Sequence, residues 1–227
     1  MTDSTDRLDH WLDALGLRAG PDDKPVLGVS ACLLGHPVRY DGEHKRNGLV
    51  ADVLPRWLNM QPLCPETAIG LPTPRAPIQV VQIDAQQRVR GVSEPARDFT
   101  DALQQHAENI DINASGFLLK ARSPSCGLGN TPLWQAGREI GLTDGAFAAV
   151  LVQRFPWLPI SNEDQLDSPL EIELFVLRCA TARLWQRWRS ANRDAFQHRV
   201  VSVLPAAHAR QLTAFWHRLD AMTTLQP

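Results

Sequence analysis

Three short apolar runs in this chain each stop at or just before a cysteine. Pro25-Val-Leu-Gly-Val-Ser30 leads to Cys32, Met60-Gln-Pro-Leu63 to Cys64, and Gly116-Phe-Leu-Leu-Lys120 to the turn carrying Cys126. Runs this short, bounded by Pro, Gly or Ser, suit buried strands rather than helices. Stretches with helical spacing separate them. Alternating strands and helices predict an α/β fold with a mostly parallel central sheet flanked by helices, a Rossmann-like arrangement. Ligands of such sheets bind beyond the carboxyl ends of the strands. If the three strands are parallel neighbours, three thiols meet at one edge; the spacing alone does not establish that they are.

The remaining elements follow the same reasoning. Residues 1–24 read as a helix from about Asp6 to Leu15 followed by a polar linker. The α/β part is expected over residues 25–160. Within it, a Gly- and charge-rich loop spans His36–Gly48 and helices are expected over Leu49–Leu58, Ala96–Ile110 and Gly145–Arg154. A hairpin is expected at Ile78–Ile83 and Arg88–Val92, and a last strand at Trp157–Ile160. Pro65, Pro72, Pro74 and Pro77 argue against regular structure between them. Residues 161–227 read as a helical extension, with helices from Ser168 to about Ser190 and from Ala206 to Met222. Ser168-Pro169 suits a helix start.

Composition excludes several classes. Apolar residues make up 44% and charged residues 21% of the chain, so a disordered chain and a coiled-coil rod are both excluded. A formal charge of −2 disfavours a general polyanion coat. No stretch approaches the roughly 20 apolar residues of a membrane span. The acidic, amphipathic N-terminus lacks the basic start and apolar centre of a signal peptide, so the expected location is cytoplasmic.

In that setting Cys32, Cys64, Cys126 and Cys179 are expected as thiols. Cys179 falls on an apolar helical stripe and reads as a core residue. The other three sit in turns of small residues, Pro and Gly. Three thiolates can hold a zinc ion with an open position or an iron–sulfur cluster with one iron not bound by protein. One of them could instead be a lone nucleophile. The spacing leaves all three open.

The motifs Ser30-Ala-Cys-Leu-Leu-Gly35, Val38-Arg-Tyr-Asp-Gly42 with Lys45, Leu63-Cys-Pro-Glu66, Gly70-Leu-Pro-Thr-Pro-Arg75, Leu119-Lys120 and Ser123-Pro-Ser-Cys-Gly127 resemble the thiouracil desulfurase family, in this order and over Pro25–Ile160. The resemblance implies a [4Fe–4S] cluster held by Cys32, Cys64 and Cys126, with one open iron. It implies an enzyme that removes sulfur from a small thiolated pyrimidine, 2- or 4-thiouracil or its nucleotide. Cleavage of the C–S bond would be hydrolytic and non-redox, with the sulfur taken up by the open iron. Catalytic roles are expected for Glu66, Ser123 and Ser125. Arg39, Tyr40, Asp41, Lys45 and Lys120 are expected to bind substrate, and Arg75 is a further anion contact. Competing readings are a desulfurase of 4-thiouridine in tRNA and a non-catalytic cluster or metal sensor. Thr67-Ala-Ile-Gly70 departs mildly from the family pattern, and Asn162–Pro227 has no counterpart in its stand-alone domain. From Ser168 on, eight arginines face four acids, a formal charge of +4. Trp185 and Trp188 lie on the same apolar stripe as Leu170, Leu174, Leu177 and Leu184. We therefore expect the extension to cover the sheet or form a homodimer; a nucleotide or tRNA contact is the alternative.

Overall fold

The structure, a computed structural model, describes residues 2–111, 113–185 and 190–223. The chain runs α1 (Thr2–Leu15), β1 (Val26–Ser30), β2 (Asn59–Leu63), α2 (Pro65–Ala68), β3 (Ile78–Ile83), β4 (Gln86–Gly91), α3 (Thr100–Glu108) and β5 (Gly116–Leu119). It continues through β6 (Thr131–Gln135), β7 (Arg138–Thr143), α4 (Ala146–Arg154), β8 (Ile160–Asn162), α5 (Pro169–Trp185), α6 (Ser190–Val203) and α7 (Ala206–Thr223).

The main sheet has the order β2-β1-β5-β8, and every pairing is parallel. The two central strands carry the most apolar sequences, and all four residues of Gly116-Phe-Leu-Leu119 are buried. Burial on both faces is what a parallel strand between helices requires. The edge strand β2 is far more exposed and tolerates Pro62, which cannot donate to a neighbour. The carboxyl ends of β2, β1 and β5 therefore lie side by side, and the turns after them carry Cys64, Cys32 and Cys126.

A second sheet, β4-β3-β6-β7, sits beside the first. Its inner face packs Val80, Val89 and Leu133 on Leu103 and Ala146. The sequence reading expected only its first hairpin. The second turns at Ala136-Gly137, both in the left-handed region at φ 48° and 78°, a geometry that suits a tight hairpin turn.

Other elements differ in extent from expectation. Leu49–Val53 forms a single π-type turn and Leu54–Arg56 a tight 3₁₀ turn, because Pro55 brings no N–H to continue a helix. Pro65–Ala68 is helical rather than irregular, with Pro65 at the first helical position, where its missing donor costs nothing. The helix expected from Ala96 starts at Thr100, and the last strand lies at Ile160–Asn162 rather than Trp157–Ile160. Among the described residues the extension holds three helices, not two.

The extension and α1 share one core with the main sheet. Leu8, Trp11 and Leu12 of α1 belong to the same buried cluster as Leu27, Phe117, Leu177 and Trp216. Trp185 is 3% exposed, packed edge-on against Trp216 with ring centroids 4.5 Å apart. That ring is closed to a base, which removes one support for a nucleic-acid contact here; Trp188, Arg187 and Arg189 lie outside the described residues. Inside this core Glu173 is paired by Arg7 at 2.6 Å and His208 at 2.8 Å, as a buried charge must be. No helix among the described residues is long and apolar enough to cross a membrane.

Asp9 ties α1 to the turn before β2. It accepts Trp57 Nε1–H at 2.7 Å and Arg56 Nε–H at 3.0 Å. Burial raises its pKa, but the bonds from Arg56 and Trp57 outweigh this and hold it below the ordinary value. A depressed carboxyl stabilises the fold above its unfolded pKa, about 3.9, and that contribution fades as pH falls through the folded value. Asp9→Asn is expected to cost about 1–3 kcal/mol at neutral pH. By urea unfolding, the gap to wild type should narrow below about pH 4. A gap that does not change with pH would contradict this role.

Candidate active site

The three sequence-predicted thiols line one cavity of about 480 Å³ at the carboxyl edge of the main sheet. That size falls within the roughly 300–1,000 Å³ of small-molecule sites. Cys32 sits in a tight turn, Ala31–Leu34, directly after β1. Gly35 closes that turn at φ 99°, in the left-handed region. The following loop folds back onto it, with Lys45 N–H donating to Cys32 O at 3.0 Å. Cys64 caps α2 and lies 3.9 Å from Val38 O. Cys126 is 4% exposed in the turn after β5. That turn is held by Ser123 Oγ, which accepts the N–H groups of Ser125 and Cys126, each at 3.2 Å. Gly145 backs it so closely that a Cβ there would lie 2.4 Å from the Ser125 carbonyl carbon.

Burial pushes the Cys32 thiol up to about 11, with Cys64 adding to it and Lys120 and Arg39 opposing. Burial raises Cys126 further, against a hydrogen bond from Ser30. Cys179 is fully buried in the core, away from this cavity. Among the described residues no three His, Cys, Asp or Glu side chains are gathered to hold a single metal ion. A lone zinc needs its thiolates within about 2.3 Å of one point. An iron–sulfur cluster presents its irons on separate corners, and three thiols lining one cavity fit the protein ligands such a cluster takes.

Glu66 is the one carboxylate lining this cavity among the described residues. Its Oε2 accepts Arg75 Nε–H at 2.9 Å and pairs with Nη2 at 2.8 Å, while Oε1 accepts the Ser125 hydroxyl at 3.0 Å. The Arg75 side chain is 5% exposed and also donates to Val38 O at 2.9 Å. Arg75, expected to meet a ligand anion, therefore meets Glu66 and fixes its orientation. Ser125 is fully buried and reaches the cavity only through Glu66.

Arg39, Tyr40, Lys45 and Lys120 all line the cavity. Asp41 does not; it accepts from Arg39 Nε at 3.2 Å and Nη2 at 2.9 Å, bracing that side chain. Lys120 pairs with Glu163, whose Oε2 also accepts Ala121 N–H at 2.6 Å. Sequence reasoning missed Ser30, Asn162 and Glu163. Ser30 Oγ accepts Lys120 N–H at 2.9 Å. Asn162 is fully buried, donates to Leu119 O at 2.9 Å and Cys126 O at 3.2 Å, and accepts Leu128 N–H at 2.8 Å. The only signal for the last two was an Asn-Glu pair just past a predicted strand.

Asn162→Ala would orphan three backbone groups, two of them on the Cys126 loop. We expect a loss of about 1–3 kcal/mol and faster labelling of Cys126 by a thiol reagent. Unchanged labelling would mean that the loop holds itself.

Fold and cavity together define a class: a parallel α/β protein with a cavity beyond its strand ends lined by three thiols. Residues 27–163, which build this site, match the family model described as 2-thiouracil desulfurase. The chain belongs to that family. A protein of Bacillus subtilis (strain 168) named Uncharacterized protein YbbK is 31% identical over 110 residues, which cover 44% of this chain and 72% of that protein. A solved chain named [4Fe-4S]-dependent thiouracil desulfidase TudS is 35% identical, with a TM-score of 0.48, and the match covers 63% of this chain and 93% of that one.

Proposed function

We propose that this chain is a [4Fe–4S]-dependent desulfidase that removes sulfur from a thiolated uracil by non-redox hydrolysis. The observation that carries this reading is that Cys32, Cys64, Cys126 and Glu66 line one cavity in a member of this family. Cys32, Cys64 and Cys126 are the residues to hold the cluster. When bound, it supplies an open iron, a soft Lewis acid suited to the substrate's sulfur. The chain does the rest. Arg75 holds the Glu66 carboxylate in one orientation through two nitrogens, a geometry a lysine cannot reproduce. Glu66, so held, accepts a proton from attacking water or from the ring N–H. Ser125 donates to the same carboxylate and helps to fix it. Arg39, braced by Asp41, Lys120, paired with Glu163, and Lys45 line the opening and are the groups to meet ring carbonyls and developing charge.

The test is anaerobic turnover of 2-thiouracil and 4-thiouracil after reconstitution, followed by uracil formation and sulfide release. Uracil and sulfide in equal amounts support the reading. A loaded protein that turns over neither base moves the sensor reading ahead.

A further inference from the structure

A second cavity, of about 210 Å³, opens between β8, α5 and α7, outside the cysteine site. Helical spacing builds two of its walls. Positions i, i+4 and i+7 share one helix face. On α5 that face presents Glu171, Phe175 and Arg178, and on α7 it presents Gln211, Phe215 and Arg218. All but Gln211 line the cavity. The buried Phe215 ring lies beneath the Arg218 guanidinium, 5.7 Å from its carbon to the ring centroid. Gln211 Oε1 accepts from Arg178 Nη2 at 2.8 Å and holds the other guanidinium. Two guanidinium groups are thus set beside one small cavity.

Arg178 Nε is buried with no hydrogen-bond partner among the described residues. Burial disfavours the Arg178 charge most; Glu171, two helical turns away, favours it, and the Arg218 charge disfavours it. Among the described residues no acid forms an ion pair with either arginine. Paired guanidinium groups on a small cavity are the donors that planar, bidentate recognition of an oxyanion requires.

We propose that this cavity binds a phosphoryl dianion, either inorganic phosphate or the phosphate group of an ester, between Arg178 and Arg218. The site is independent of the cysteine cavity and of the desulfidase reading.

The test is isothermal titration calorimetry of the full chain at fixed ionic strength, with inorganic phosphate in one arm and methyl phosphate in the other. We expect saturable binding that Arg218→Gln weakens about tenfold or more, the loss of one charge-assisted contact. Arg218 is exposed, so its variant folds even if Arg178→Gln does not. Arg122→Gln, in the cysteine cavity, should leave the affinity unchanged. Binding in both arms shows that the phosphate group suffices; binding in one arm identifies the source, free or esterified. No saturable binding in either arm overturns the proposal. So does binding that Arg122→Gln abolishes and Arg218→Gln leaves intact.

Discussion

Glu66→Gln is expected to lower turnover of a thiolated uracil by about 10²–10⁴-fold while leaving iron content and visible absorption unchanged. The amide is nearly isosteric: its oxygen can still accept from Arg75 while its NH2 donates to the Ser125 hydroxyl oxygen, so the fold around it is kept. It cannot accept a proton, which is the role assigned to the carboxylate. Arg75→Lys should fall between wild type and Glu66→Gln. A lysine keeps the charge but loses the two-nitrogen grip on Oε2 seen at 2.9 and 2.8 Å. The measurement is single-turnover kinetics on protein loaded to equal iron content. Wild-type rates in Glu66→Gln would sink the assignment and leave the carboxylate as a brace for Arg75.

The second large effect concerns the thiols. Cys32→Ala, Cys64→Ala and Cys126→Ala should each lose the visible absorption and most of the bound iron on anaerobic reconstitution, because two thiolates and an open iron do not retain a cubane. Cys179→Ala is the internal control. It removes the same residue type, but from the core beneath Gly116, where a Cβ at residue 116 would touch its sulfur at 2.8 Å. That variant should load iron fully and lose only stability. Loss of absorption in Cys179→Ala alone would contradict the ligand assignment.

The main sheet was legible because β1 and β5 are apolar on both faces and stop at turn residues. The position of the three thiols followed from strand ends alone, given parallel neighbours. The second hairpin of the other sheet was not legible. β7, Arg138-Glu-Ile-Gly-Leu-Thr143, is largely exposed, and its pairing comes from contact with β6 rather than from an apolar pattern of its own. α6 was missed for a related reason: Ser190–Val203 has little segregation of apolar and polar residues. Glu66 stood out through its Cys-Pro-Glu setting, but its partners did not. Arg75 lies nine positions away and Ser125 fifty-nine, and only the fold brings them to one carboxylate. Asn162 and Glu163 support the Cys126 loop and Lys120 from the end of the neighbouring strand β8, a role no local pattern announces.

The most direct test is visible absorption of the protein reconstituted with iron and sulfide in the absence of oxygen, recorded before and after addition of 2-thiouracil and, separately, uracil. The account predicts a broad band that changes with the thiolated base and not with uracil. Absence of any band, with Cys32, Cys64 and Cys126 all titrating as free thiols, would contradict it.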